Sequence, residues 1–189
     1  MPSVIELHVI QGVAEVAIDN PPYQTLSNRV LVALCSTLEQ LASDPEVTAL
    51  VFCGTGADFC VGSELDELAD PTQLASLRGL VAMLENYPKR TVAALHGKVH
   101  GGGLELAMAC SARVAVGGTE LGLPDVALGL LPSAGGTWRA APVGRHVNDA
   151  RRRGSERVPR PAARVPTSGR FGRGERTFSG TRLLAPEGE

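Results

Sequence analysis

The chain has 189 residues, 43% of them apolar and 4% aromatic, and carries a formal net charge of −2. That length suits one sizeable core and is too short for two full domains. No apolar run is long enough to span a bilayer and no basic region precedes a signal-like core, so a cytoplasmic location without a membrane partner is expected.

Residues 3–10 and 13–19 alternate in polarity and are parted by Gln11-Gly12, which predicts a β-hairpin. Asn20-Pro21-Pro22 closes its second strand. Ser27 is a candidate N-cap for a helix with Val30, Leu31, Leu34, Leu38 and Leu41 on one face, ending near Ser43-Asp44-Pro45. Residues 47–54 read as a buried strand that runs into a loop. Asp70-Pro71 opens a second helix carrying Leu74, Leu77, Val81 and Leu84. Residues 91–95 form a third buried strand, 96–101 a loop, and a helix follows from about Gly102. Residues 112–116 are a fourth strand of the same kind. Strands alternating with helices predict right-handed crossovers and an open layered α/β fold.

This pattern stops at Trp138. Up to Thr137 the chain holds 6 basic and 15 acidic residues; beyond it stand 12 arginines, no lysine and 5 acids. Val, Leu, Ile and Phe supply only 8 of the last 52 residues. Such a composition buries too little apolar surface to offset chain entropy, so disorder is expected over 140–189, after a core spanning 1–139. Arginine, proline, glycine and alanine codons abound in GC-rich DNA, and the tail reads as a frameshift product. An amphipathic helical sequence in another frame after position 138 is the check. Without interleaved aromatics or a known module, the tail is not expected to bind nucleic acid.

Four cysteines (Cys35, Cys53, Cys60 and Cys110) lie in apolar stretches without metal-ligand or disulfide spacing and are expected to be reduced. His96 and His100 lack an acidic or cysteine partner at ligand spacing, so no metal is expected. Residues 54–59 lack the third glycine of a dinucleotide fingerprint, and no Walker-type lysine follows.

The stretch with most chemical content is Val99-His100-Gly101-Gly102-Gly103-Leu104-Glu105. Glycines at a loop-to-helix junction leave backbone N–H groups bare, and the helix dipole favours negative charge there. A carbonyl oxygen docked there is stabilised as it gains charge in a reaction. Glu105, in apolar company within the first turn, is placed to exchange a proton with the same ligand. The alternative is a glutamate favoured by the dipole and pointing to water. Asp125, after Pro124, can by itself be a simple turn residue.

Three segments stand in order: ADFCVGSELDEL at 57–68, GKVHGGGLELAMACSARVAV at 97–116 and LGLPDVALGLLPSAGGTWR at 121–139. Together they resemble the crotonase superfamily, the enoyl-CoA hydratase/isomerase family, over about residues 4–139. The likeness is greatest to hydratases reading GGGxELAxAC, LGLPE and LLPxAGGTQR. The resemblance implies a crotonase-like spiral of repeated ββα units and an acyl-CoA thioester as substrate, with no separate cofactor. It also implies a homotrimer or a dimer of trimers. By matched position, the N–H groups of Val61 and Gly102 hold the thioester carbonyl, and Glu105 and Asp125 are the catalytic carboxylates. Cys60, Gly62, Gly101, Gly103, His100 and Pro132 fall at substrate-contacting positions. Asp125 stands where hydratases usually have glutamate, and Trp138 where glutamine is common. The implied activity is reversible addition of water to a trans-2-enoyl-CoA. The alternatives are an isomerase using Glu105 alone and a truncated, inactive relative.

Overall fold

The computed structural model describes residues 3–67, 71–140, 176–178 and 181–183. The chain divides into two units, Met1–Gly136 and Thr137–Glu189. The first is built on a five-stranded mixed sheet. Strands β1 (Ile5–Ile10) and β2 (Val13–Ile18) form the expected antiparallel hairpin. Its two-residue turn places Gln11 at φ 51° and Gly12 at φ 79°, the left-handed geometry that matches the strand twist. Strands β3 (Ala49–Gly54), β4 (Arg90–Leu95) and β6 (Ala112–Ala115) then add in parallel.

Helix α1 (Asn28–Ser43) crosses from β2 to β3, and α2 (Pro71–Glu85) from β3 to β4. Ser27 caps α1, its hydroxyl accepting the Val30 N–H at 3.4 Å, while Glu67 Oε2 accepts the Asn28 N–H at 2.6 Å. Thus two side chains satisfy donors that the first turn leaves unpaired. The predicted apolar face is the buried one: Val30, Leu31, Leu34, Leu38 and Leu41. Helix α1 packs against α2, where Leu77, Leu80, Val81 and Leu84 are buried, and Ala14, Val16, Leu50 and Phe52 of the sheet are buried as well. The expected cap at Asp70 and the side chain of Leu74 lie outside the described residues.

Three features depart from the expectation. Residues 98–100, read as loop, form a short strand β5 (Lys98–His100) paired in parallel with β7 (Glu120–Gly122). Three-residue strands broken by glycine carry too little alternation to announce themselves. Strand β6, read with the buried strands, is exposed at all four residues, Val114 by 64%, because it forms the sheet's edge. Helix α3 (Gly101–Ala109) starts at the first glycine of the triplet, and all nine of its residues are buried.

In the second unit, the Arg139 guanidinium lies 3.9 Å from the centroid of the Trp138 ring. Strands β8 (Arg176–Phe178) and β9 (Thr181–Leu183) form an antiparallel pair. Apart from Ala140 and this pair, the disorder expected over 140–189 concerns residues outside those described. Among the described residues, no helix is long and apolar enough to cross a membrane.

Candidate active site

Two stretches of chain run side by side toward the start of α3. Phe59 N–H donates to His96 O at 3.0 Å, Cys60 N–H to Lys98 O at 3.3 Å and His100 N–H to Cys60 O at 2.9 Å. Cys60 and Val99 are bridged in parallel. Both stretches continue in step, so residues 61–63 arrive beside the glycine triplet. A Cβ at Gly62, where φ is 108°, would lie 3.2 Å from His100 O and 3.6 Å from Gly102 N. One at Gly103 would overlap Cys60, at 2.6 Å from its carbonyl oxygen and 2.7 Å from its sulfur. This close approach is what the third glycine of the triplet permits.

The first N–H groups of α3 have no partner four residues back, and its N-cap, His100, offers no side-chain bond. Among the described residues, the N–H groups of Val61, Ser63 and Gly102 donate to no protein acceptor. Sequence reasoning did not single out Ser63. Its bridge to Leu26 uses the Leu26 N–H, which donates to Gly62 O at 2.8 Å, so the Ser63 N–H turns away from that pairing. Ser63 Oγ lies 3.4 Å from the Cβ position of Gly102. The only sequence signal for Ser63 was its place next to Gly62.

Glu105, one turn into α3, is 1% exposed. Its Oε1 accepts two backbone N–H groups, from Ala134 at 2.8 Å and Gly136 at 2.7 Å. The carboxylate therefore points inward, not to water, and its setting is polar at this oxygen. Asp125 lies in a 3₁₀ turn, Pro124–Leu128, closed by Gly129 in the left-handed conformation. Both its oxygens lie 3.6 Å from the Cβ position of Gly101, whose φ of 49° suits a residue without a side chain. Oδ2 is buried and has no partner among the described residues. The fold thus brings both carboxylates to the triplet, one from within α3 and one from the turn after β7.

The remaining candidates fall around this centre. A Cβ at Gly122 would lie 3.3 Å from Cδ2 of the half-buried His100 ring, so the ring rests against a bare backbone. Pro132 is half-buried in the segment that delivers Ala134 to Glu105. Burial pushes the Cys60 thiol up to about 12, against a smaller opposing hydrogen bond from the Gly62 backbone. A thiol held that high is packing material for the triplet, since nucleophilic attack needs the thiolate.

The family model for enoyl-CoA hydratase/isomerase matches residues 8–149. The chain belongs to this family. It is 40% identical over 144 residues to a probable enoyl-CoA hydratase of Bacillus subtilis, covering 72% of this chain and 56% of that protein. It is 44% identical over 131 residues to the peroxisomal bifunctional enzyme of Danio rerio, covering 69% of this chain and 18% of that one. Pseudomonas aeruginosa DspI superposes with a TM-score of 0.70 at 31% identity, over 74% of this chain and 56% of the other. The enoyl-CoA hydratase of Bacillus anthracis gives 0.70 at 28% identity, over 74% and 57%. The fold is the crotonase fold. The chain spans about half the length of the curated hydratase-named relatives it matches, from 46% to 56%.

Proposed function

We propose that this hydratase/isomerase family chain adds water reversibly to a trans-2-enoyl-CoA thioester. The observation that carries the proposal is the buried Oδ2 of Asp125, without a partner among the described residues, beside Gly101 on the same short stretch of backbone as Glu105. Leaving a buried acceptor unmade costs about 1–3 kcal/mol, which a bound water or ligand hydroxyl would recover.

The chemistry follows from the groups present. The thioester carbonyl sits at the mouth of α3 and takes hydrogen bonds from backbone N–H groups. Gly102 supplies one. The packing of Gly62 and Ser63 against Gly102 supports Ser63 N–H as its partner, in place of the expected Val61. These donors stabilise the negative charge that moves onto the carbonyl oxygen as water attacks C3. One carboxylate accepts the proton lost by the water, and the other group, entering protonated as the carboxylic acid, delivers its proton to C2 as the enolate collapses. Each turnover leaves the proton on the first group, and its return to the second, directly or through solvent, restores the starting state.

An isomerase needs only one proton-shuttling carboxylate, and the position of Asp125 favours the two-carboxylate reading. Mass analysis after incubation with a trans-2-enoyl-CoA and, separately, its 3-enoyl isomer distinguishes them. Gain of one water mass from the 2-enoyl thioester supports hydration. Interconversion of the two thioesters without mass change supports isomerisation.

A further inference from the structure

The two stretches that meet at the site are joined by three main-chain hydrogen bonds, and two further bonds between them use a side chain. Lys98 N–H, at the start of β5, donates to the side chain of Asp58, with Oδ1 at 2.7 Å. Asp58 lies in the turn before Phe59, and its carboxylate lies across the tight bend at Gly97, where φ is 54°. A Cβ at Gly97 would lie 2.5 Å from this Oδ1 and closer still to Ala57 O, so the bend is shaped to admit the carboxylate. On the far side of β5, Glu120 N–H donates to Gly97 O at 2.8 Å, which joins the same bend to β7 and the turn holding Asp125.

We propose that Asp58 is a positioning residue for the reaction assigned above, and the inference rests on that reading. Asp58 stands five residues before Ser63, and Lys98 four before Gly102. The Asp58–Lys98 bond therefore sets the register between the two backbone segments whose N–H groups face the thioester oxygen. Catalysis by preorganised donors is sensitive to this register, because a displacement of about 1 Å can cost on the order of a hundredfold in rate. Asp58 touches no reacting atom. It acts through β5 and the triplet that follows it.

The test uses the full chain and the variants Asp58→Ala and Asp58→Asn, read by crotonyl-CoA hydration and by amide hydrogen exchange. Asparagine keeps an oxygen in the place of Oδ1. The expected result is a kcat about tenfold or more lower in Asp58→Ala, a KM within about threefold of wild type, and rescue by Asp58→Asn. Exchange over residues 98–103 should quicken in Asp58→Ala and not in Asp58→Asn. If Asp58→Ala does not fold, Asp58→Glu moves the carboxylate by one methylene and is expected to lower kcat in the same way. Unchanged exchange and kcat in Asp58→Ala, or equal loss in both variants, would overturn the positioning role. Absence of turnover in the folded wild type would count against the proposed reaction, and the exchange comparison would still judge the clamp.

Discussion

Glu105 and Gly136 meet through a hydrogen bond of 2.7 Å, from the Gly136 N–H to Oε1 of the carboxylate. The fit is tight, since a Cβ on Gly136 would lie 3.0 Å from Oε1 and 3.1 Å from both Cγ of Glu105 and Cδ1 of Leu123, and these side chains would have to give by a few tenths of an ångström. Glu105 is thereby held by a segment 31 residues further along the chain. Gly136→Ala is expected to displace the carboxylate and lower kcat for crotonyl-CoA by about tenfold or more while the fold persists. Steady-state kinetics beside a circular-dichroism melt would check both parts.

Packing constrains Gly103. A methyl there would overlap Cys60 on backbone and side chain together, so no rotamer change relieves it. Gly103→Ala should destabilise the chain by about 1–3 kcal/mol, the range for overpacked interiors. Denaturant unfolding measures this, and an unchanged midpoint would refute the packing assigned to the triplet.

Much of the scaffold was legible because local rules and the final fold agree. The alternation of β1 and β2, the cap at Ser27 and the leucine face of α1 reappear as expected. The site was legible only as residue types. Nothing local to Glu105 announces that Ala134 and Gly136 hold it, because those bonds cross about thirty residues. The role of Asp58 was equally hidden, since a turn aspartate looks the same whether or not an N–H lies across from it. The exposure of β6 depends on which strand ends the sheet, a property of topology that its apolar residues do not encode.

Glu15 gives a pH dependence. It is 5% exposed in β2, faces His8 across the hairpin and accepts a weak 4.0 Å contact from the Cys53 thiol. Burial raises its carboxyl above the ordinary value; His8 partly offsets this, and Glu6 adds to it. A carboxyl raised in the native state contributes stability that is fully present below its unfolded value. That contribution is lost as the pH rises through the native value. Glu15→Gln removes the cost of burying the charge. The variant should melt a few degrees above wild type at pH 8, by about 1–4 °C, with the gap closing toward pH 4. A gap that is constant with pH would contradict the assignment.

The cysteines should differ in reactivity. Cys53, Cys60 and Cys110 are buried, with thiols pushed up to about 12 by desolvation. Cys35 is only half-buried, its thiol raised by burial and by Glu39. A thiol reagent applied to the native chain should modify Cys35 first, and the other three only on unfolding. Peptide mapping after brief labelling reads the order directly.

The most direct test of the two-carboxylate account follows loss of the conjugated enoyl thioester absorbance when the 189-residue chain meets crotonyl-CoA. Turnover should fall by about a hundredfold or more in both Glu105→Gln and Asp125→Asn, with each variant folded. Folded wild-type chain without turnover, or turnover that survives Asp125→Asn undiminished, would contradict it.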